Sequence, residues 1–147
     1  MKYNTNLIIL DSNFILLPIQ FKIDYFSEIR SILEGQLRFI VFQQILDELN
    51  SKRKREPKGN KFIRLLESGL EFLKKSKEKY NIEIMEEVKK DIEKTDEFLI
   101  RMSVKLQNLG HNVYLATNDS ELRRKAKQLN IGVIFLRQKK YLSVERA

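Results

Sequence analysis

The chain has 147 residues, of which 42 % are hydrophobic and 33 % are charged, and this balance predicts one soluble globular domain spanning residues 1–147. Cysteine is absent and histidine occurs once, as His111, so disulfides, thiolate metal sites and imidazole zinc sites are excluded. A formal net charge of +8 and a pI near 9.6 indicate a polyanionic partner, nucleic acid before an anionic membrane surface.

The sequence predicts neither a leader nor a membrane segment. Its first six residues are polar, and the apolar run Leu7–Leu10 behind them is short. The apolar-rich stretch 14–26 is interrupted by Pro18 and by charged and polar residues, whereas a bilayer requires about 20 consecutive apolar residues. We therefore expect a cytoplasmic protein that does not associate with membranes.

Short runs rich in aliphatic and aromatic residues predict five strands, at Leu7–Leu10, Arg38–Val41, Asn81–Ile84, Val113–Ala116 and Gly132–Leu136. The first and the last two are nearly continuous apolar runs, as expected for strands that are buried on both faces. Between the strands, apolar residues at helical spacing predict helices over Phe62–Leu73, Phe98–Leu109 and Ser120–Leu129.

The second of these helices has Thr95 at its expected N-cap and Gly110 just past its end. The apolar stripe Phe62–Leu73 is expected in the core or on the surface of a homodimer. Strands that alternate with helices predict an α/β fold, here a three-layer α/β/α sandwich whose central, largely parallel sheet has about five strands.

Four carboxylates are placed where they could form a metal site. Asp11 directly follows a buried strand, Asp119 follows another after two residues, and Glu48 and Asp96 lie between them on helical segments. Buried acids are costly unless a cation or a polar partner satisfies them, and ligand crevices of open α/β sheets form at the carboxyl ends of strands. In a basic protein, this placement predicts a divalent-metal site and a nuclease.

Each acid also has a purely structural interpretation, and the sequence leaves the choice open. Asp11 and Asp119 are typical helix N-caps, a role that Asn118 or Ser120 could also fill. Asp47 competes with Glu48 for the inward position on its helix. Asp96 competes in the same way with Asp91 and Glu97.

These residues belong to a recognisable set of motifs. The segments Leu10–Phe14, Ile45–Leu49, Thr95–Leu99 and Ala116–Leu122 resemble the PIN domain, a family of metal-dependent ribonucleases of this length with a parallel sheet flanked by helices. The run Gly132–Gln138, followed by Tyr141 and Leu142, is similar to the archaeal branch related to the eukaryotic endonucleases of small-subunit ribosomal RNA processing. The resemblance covers essentially the whole chain.

The resemblance implies specific roles for these residues. Asp11, Glu48, Asp96 and Asp119 would bind one or two Mg²⁺ or Mn²⁺ ions as the catalytic cluster. Asp11 and Asp119 would hold the principal ion. The cluster would be supported by Ser12, Asn13, Thr117 and Asn118.

Basic residues follow two of the motifs and could contact a nucleic-acid backbone without reading its sequence. Pro57 and Gly59 mark the first basic segment as a loop. The alternative is a solvated charged surface. The candidate RNA-binding residues are Lys52, Arg53, Lys54, Arg55, Lys58 and Lys61 in the first segment, and Arg123, Arg124 and Lys127 in the helix after Asp119.

The leading functional hypothesis is a metal-dependent endoribonuclease that hydrolyses single-stranded RNA or an rRNA precursor, in rRNA processing or RNA quality control. A toxin ribonuclease of the VapC type would share its fold and chemistry. A non-catalytic RNA-binding or ribosome-assembly module is the second class. A structure-specific DNA nuclease is the third, and it is disfavoured because the chain lacks room for duplex-binding extensions.

Overall fold

The computed structural model of the protein describes residues 5–17, 21–57 and 59–146. In chain order its elements are β1 (Thr5–Leu10), α1 (Ser12–Ile15), α2 (Tyr25–Ile32), β2 (Gln36–Phe42), α3 (Gln43–Arg55), α4 (Lys61–Ser76), β3 (Ile82–Met85), α5 (Thr95–Asn108), β4 (Asn112–Ala116), α6 (Ser120–Gln128), β5 (Gly132–Arg137) and β6 (Tyr141–Glu145).

All six strands form one sheet in the order β3-β2-β1-β4-β5-β6. The first five in the chain pair in parallel, and β6 runs antiparallel to β5. Helices α3, α5 and α6 pack against β2, β4 and β5, respectively. The predicted α/β fold with a largely parallel sheet is confirmed.

The sheet is wider than predicted because a hairpin adds β6 at its edge. Gln138 and Lys139 both have positive φ, of 54° and 56°, and the Lys140 N–H donates to the carbonyl oxygen of Arg137 at 3.1 Å. This geometry matches a type I′ turn, which usually contains Asn or Gly at its centre. Without those residues, the sequence carried no hairpin signal.

The core explains why the predicted strands are nearly continuous apolar runs. In β1, Leu7 to Leu10 are all buried, and β4 is buried from Val113 to Ala116. The apolar stripe of α4 also belongs to the core, with Leu66, Gly69 and Leu73 buried. It therefore has the first of its two predicted roles.

Gly69 allows α4 to approach α1 closely. A Cβ atom at this position would lie 2.5 Å from the carbonyl oxygen of Ile15, which is closer than side-chain carbons come to backbone oxygen. Since α1 begins directly after β1, this contact fixes the turn that carries Asp11.

Two local predictions are wrong. Thr95 is not an N-cap: Lys94 has that position and Thr95 is the first helical residue of α5. The basic segment after Glu48 is also less loop-like than predicted, since α3 continues to Arg55. The positive charge in its last turn faces the negative end of the helix dipole, which favours the longer helix.

No helix in the described ranges is long and apolar enough to cross a membrane.

Candidate active site

The strands β1 and β4 are neighbours, and their carboxyl ends define the centre of the site. Leu10 is paired with Ala116, and the Asp11 N–H donates to the carbonyl oxygen of Ala116 at 3.0 Å. The chain adds β2 and β3 on one side of β1 and then crosses to β4 on the other side. Ligand crevices of open α/β sheets form at such a reversal of strand order.

Asp11 is buried, with 6 % of its surface exposed, and the atoms that bond it are neutral. Its Oδ1 accepts from the Ser12 N–H at 2.7 Å, and its Oδ2 accepts from the Thr117 hydroxyl at 2.6 Å and the Asn13 amide at 3.2 Å. Burial raises the pKa of the Asp11 carboxyl, the bonds from Thr117 and Ser12 oppose that rise, and the charges of Asp96 and Asp119 add to it.

The amides of Asn13 and Asn118 join the turns that follow β1 and β4 to each other and to the neighbouring strand β5. Asn13 Oδ1 accepts from the Asn118 N–H at 3.1 Å, and Asn118 Oδ1 accepts from the Leu136 N–H at 2.9 Å in β5. The Thr117 oxygen also accepts from the Asp119 N–H at 3.1 Å. Three of the predicted supporting side chains therefore hold the two strand exits together, and Ser12 contributes through its backbone N–H and, at 3.5 Å, through its hydroxyl.

Asp119 is the N-cap of α6. Its Oδ1 accepts from the N–H groups of Glu121 at 2.9 Å and Leu122 at 3.1 Å. Asp11 caps α1 in the same way. The structural interpretation of both residues as helix caps is thus correct. The charge of Asp119 also adds to the rise that burial causes in the pKa of Asp11 and Asp96.

Asp96 lies in the first turn of α5 and faces the same edge of the sheet. Its partial burial raises the pKa of its carboxyl, the charge of Asp119 raises it further, and Lys125 opposes the rise. The competing acid Glu97 is engaged elsewhere, because its side chain accepts from the Lys94 N–H at 2.9 Å as part of a capping box. Asp91 is exposed in the loop before α5.

Glu48 is connected to the site through the start of α5. The Thr95 hydroxyl lies 2.9 Å from both of its carboxylate oxygens, and the Lys89 ammonium lies 2.8 Å from Oε1. Its competitor Asp47 is exposed and accepts from the Gln43 amide at 2.9 Å. Glu48 is therefore the inward acid of α3.

The four acids differ in whether a basic side chain forms a salt bridge with them. Within the described ranges, the ion pair from Lys89 to Glu48 is the one salt bridge that involves any of them. Asp11 and Asp96 instead have like charges nearby, and these charges add to the rise that burial causes in the pKa of both carboxyls.

A divalent ion suits the chemistry of these side chains. Carboxylate, hydroxyl and amide oxygens are the ligands of Mg²⁺ and Mn²⁺, and a buried acid bonded by neutral groups would gain a counter-charge. In the part of the chain that the structure describes, however, no three acidic or histidine side chains are close enough together to enclose a metal ion. Ion binding would thus require the carboxylates to draw closer together.

The basic residues from the end of α3 to the start of α4 differ in their surroundings. Lys54, Arg55 and Lys61 are exposed, Arg53 is half-buried, and the Lys52 ammonium lies 4.3 Å from the centre of the Phe62 ring. Lys58 lies outside the described residues.

The three basic side chains predicted to bind RNA on α6 each contact another group of the protein. The Arg123 guanidinium lies 4.2 Å from the centre of the Phe135 ring and donates to the Thr117 carbonyl at 3.5 Å. Arg124 pairs with Glu121 at 3.4 Å and Lys127 pairs with Glu145 at 2.7 Å, both at the surface. Arg123 is thus the member of this group that adjoins the acidic edge.

Sequence reasoning missed three side chains that contact or influence the acids, namely Lys89, Thr95 and Lys125. Lys89 comes from a loop 41 positions beyond Glu48, and no local pattern in the sequence links the two residues. Thr95 was assigned to the wrong capping role. Lys125, whose charge lowers the pKa of Asp96, lies in a helix whose basic residues all look equivalent in the sequence.

The chain is similar to known proteins over nearly its whole length. A curated relative, "Ribonuclease VapC4" of Methanocaldococcus jannaschii, is 29 % identical over 141 residues, which cover 93 % of this chain and 95 % of the relative. The solved structure of the "PIN domain endonuclease Utp24" superposes with a TM-score of 0.68 at 21 % identity, covering 96 % of this chain and 92 % of that chain. This second likeness concerns the fold.

The family model described as "PIN like domain" matches residues 8–139, a span that begins within β1 and ends in the turn before β6. It contains all four acids and the side chains that bond them. The chain therefore belongs to the PIN-like domain family.

Proposed function

We propose that this protein is an endoribonuclease that hydrolyses RNA phosphodiester bonds with the help of Mg²⁺ or Mn²⁺. The observation that carries the proposal is the group of three carboxylates at the carboxyl edge of the sheet. Asp11, Asp96 and Asp119 have no cationic side chain bonded to them within the described ranges, and burial, to which like-charge repulsion adds, raises the pKa of Asp11 and Asp96. Such clusters are characteristic of functional sites.

The proposed roles follow from these positions. Asp11 and Asp119, at adjacent strand ends, would provide the principal ligands, and Asp96 would approach from the start of α5. When bound, a divalent ion supplies charge neutralisation at the phosphate and an activated water. Thr117 and Asn13 orient the Asp11 carboxylate, and the exposed cations of α3 would contact the RNA backbone.

The substrate class is single-stranded RNA or the precursor of a ribosomal RNA. The support for RNA comes from the family membership, from the name of the full-length relative and from the net charge of +8. Asp96 and Asp119 are partly exposed, so that an extended strand could reach them.

A cleavage assay tests the proposal. Purified protein is incubated with 5′-labelled single-stranded RNA and Mn²⁺, alongside the variants Asp11→Asn and Asp119→Asn. Asp47→Asn is the control, because this acid is exposed on α3. We expect cleavage by the wild type and the control, its loss in both site variants, and its loss after chelation. RNA binding without cleavage by the wild type would instead identify a non-catalytic module.

A toxin ribonuclease of the VapC type is the second candidate, favoured by the relative that carries that name and matches over nearly its whole length. Inducible expression separates the two settings. A toxin arrests growth, and Asp11→Asn does not. A processing enzyme leaves growth unaffected and shortens an rRNA precursor at one position, as mapped by the 5′ ends of the products.

A further inference from the structure

We propose that the β5–β6 hairpin is an RNA-binding element that holds a single strand beside the carboxylates at the carboxyl edge of the sheet. The inference rests on the proposed endoribonuclease function and assigns a surface to its substrate. The residues that form this surface, called here the hairpin surface, are Arg123, Arg137, Lys139, Lys140 and Tyr141.

The hairpin projects from the same edge of the sheet as the acids. In the parallel register of β4 and β5, Ala116 at the end of β4 lies opposite Ile134. Strand β5 continues beyond Ile134 to Arg137, and the chain then turns at Gln138 and Lys139. At about 3.3 Å per residue, Arg137 lies about 10 Å past the end of β4 along the strand. The turn therefore stands above the strand exits.

Direct contacts link the hairpin to the buried acid Asp11. The Thr117 hydroxyl bonds Asp11, and the Thr117 carbonyl accepts from the Arg123 guanidinium at 3.5 Å. The same guanidinium lies 4.2 Å from the centre of the Phe135 ring, and the Arg137 guanidinium lies 5.1 Å from that centre. Two like charges are thus held against one ring, where a phosphate between them would be stabilised.

Tyr141 adds an exposed aromatic ring to the same side of the hairpin. It pairs with Arg137 in the antiparallel register of β5 and β6, so the two side chains leave the hairpin on one face. Alternation along β5 places Phe135 on that face as well. Tyr141 is 45 % exposed whereas Phe135 is buried. A nucleobase can therefore stack on Tyr141, while the neighbouring cations contact phosphates.

The protein does not neutralise the charge of the hairpin itself. Arg137, Lys139 and Lys140 are exposed, and none of them forms a salt bridge within the described residues. Seven basic residues and no acid lie between Glu121 and Glu145 in the chain. Glu145, the acid of β6, is already paired with α6 at 2.7 Å. This surface suits a polyanion.

The turn carries a lysine where glycine would be more stable. Lys139 has a φ of 56° and follows Gln138, whose φ is 54°. Residues other than glycine, asparagine and aspartate are disfavoured in this left-handed region, and type I′ turns favour Gly at both central positions. Turn geometry thus does not account for the lysine, whereas contact with a phosphate does. Lys139→Gly consequently separates stability from binding, because it relaxes the backbone and removes a charge.

Fluorescence anisotropy with a labelled single-stranded RNA in chelator measures binding without cleavage. We expect Tyr141→Ala to bind about tenfold more weakly, as is typical when a stacked aromatic is removed, and Tyr141→Phe to bind like the wild type. Lys139→Gly should reduce the slope of log affinity against log salt by about 0.7. Its Tm should nevertheless be higher than that of the wild type. Circular dichroism confirms that each variant is folded.

A tryptophan reporter tests the stacking itself. The chain contains no tryptophan, so Tyr141→Trp introduces a single fluorophore of this kind. A base that stacks on this ring should quench its emission when single-stranded RNA is added. Duplex RNA, whose bases are already stacked on one another, should not quench it. Leu109→Trp, at the exposed end of α5 near the opposite edge of the sheet, is the control and should respond to neither.

Three results would overturn the inference and leave the proposed function in place. The first is unchanged RNA affinity in Tyr141→Ala together with an unchanged salt slope in Lys139→Gly. The second is a lower Tm for Lys139→Gly alongside its weaker binding, which would indicate a structural role. The third is equal quenching of Tyr141→Trp by duplex RNA or heparin, which would indicate a general polyanion surface. If the wild type binds no single-stranded RNA, the proposed function itself fails, and the inference fails with it.

Discussion

The Thr117 hydroxyl donates a hydrogen bond of 2.6 Å to Asp11 Oδ2, across the ends of the adjacent parallel strands β4 and β1. Thr117 is fully buried and its oxygen also accepts from the Asp119 N–H. One side chain therefore connects the two strand-exit acids, although it carries no charge and binds no ion in our proposal.

Thr117→Val removes this connection while keeping the side-chain shape. A hydrogen bond to a charged group contributes about 1.5–3 kcal/mol, so we expect the variant to lose roughly that much stability and to bind Mn²⁺ more weakly. Urea unfolding and calorimetry provide the measurements. Thr117→Ser retains the hydroxyl and should resemble the wild type. A Thr117→Val protein with unchanged stability would show that the bond is weak.

Asp11→Asn should stabilise the metal-free protein at neutral pH. The folded-state pKa of Asp11 lies above its ordinary value of 3.8, mainly because of burial, so the ionised form is disfavoured by folding. This cost is absent below the unfolded pKa and fully present above the folded one. We therefore expect the variant to have the higher Tm at pH 7 in chelator, with a difference that vanishes below pH 3.8.

Thermal unfolding over a pH series checks this prediction. At this chain length, a change of one kcal/mol corresponds to about 2–4 °C in Tm. Adding Mn²⁺ should raise the Tm of the wild type and leave that of Asp11→Asn nearly unchanged. A variant that is less stable than the wild type in chelator at pH 7 would contradict the assignment of Asp11 as an acid whose ionised form is destabilised by burial.

The neighbours Asp96 and Glu97 form a matched pair for testing the α5 motif. Asp96 faces Asp119, whereas Glu97 caps its own helix. We expect Asp96→Asn to lower the cleavage rate by at least about tenfold, equivalent to about 1.4 kcal/mol of lost transition-state stabilisation. Glu97→Gln should keep the rate and cost about 1 kcal/mol of stability at most. Single-turnover kinetics measure both cleavage rates. A larger loss of rate in Glu97→Gln than in Asp96→Asn would show that Glu97, and not Asp96, belongs to the site.

The exposed cations Lys54 and Arg55 should contribute to RNA affinity through the phosphate backbone. Each cation that contacts single-stranded RNA adds about 0.7 to the slope of log affinity against log salt. Replacing both with Ala should thus reduce the slope by about 1.4 if both make contact. Lys74→Ala/Lys77→Ala, at the C-terminal end of α4, removes the same charge and is the control. Equal slopes for the two double variants, from fluorescence anisotropy, would exclude a specific role for the end of α3.

The strand exits were predictable because their signal is local. A nearly continuous apolar run followed by an acid places Asp11 and Asp119 at the carboxyl edge of a parallel sheet, whatever the rest of the chain does. The hairpin that adds β6 was missed because its turn uses Gln138 and Lys139 in place of the usual Asn and Gly. The apolar stripe of α4 was recognised, although the sequence left open what covers it.

The helical acids required more than local patterns. Asp47 and Glu48 differ by one position, a rotation of 100° around the helix, and only packing decides which of them faces inward. The same holds for Asp96 and Glu97. Thr95 shows a related limit, since a hydroxyl at the start of a helix normally caps it, and here it bonds a carboxylate from another element.

By itself, the sequence determined the α/β class, the largely parallel sheet, the two acids at its carboxyl edge and the basic character of the protein. The first three follow from the spacing of residues within short segments, and the last follows from composition alone. Only the tertiary structure decided the strand order, which of the adjacent acids turns inward, and the pairing of Lys89 with Glu48. Those features depend on contacts between segments that are distant in the chain, and their geometry arises when the helices pack onto the sheet.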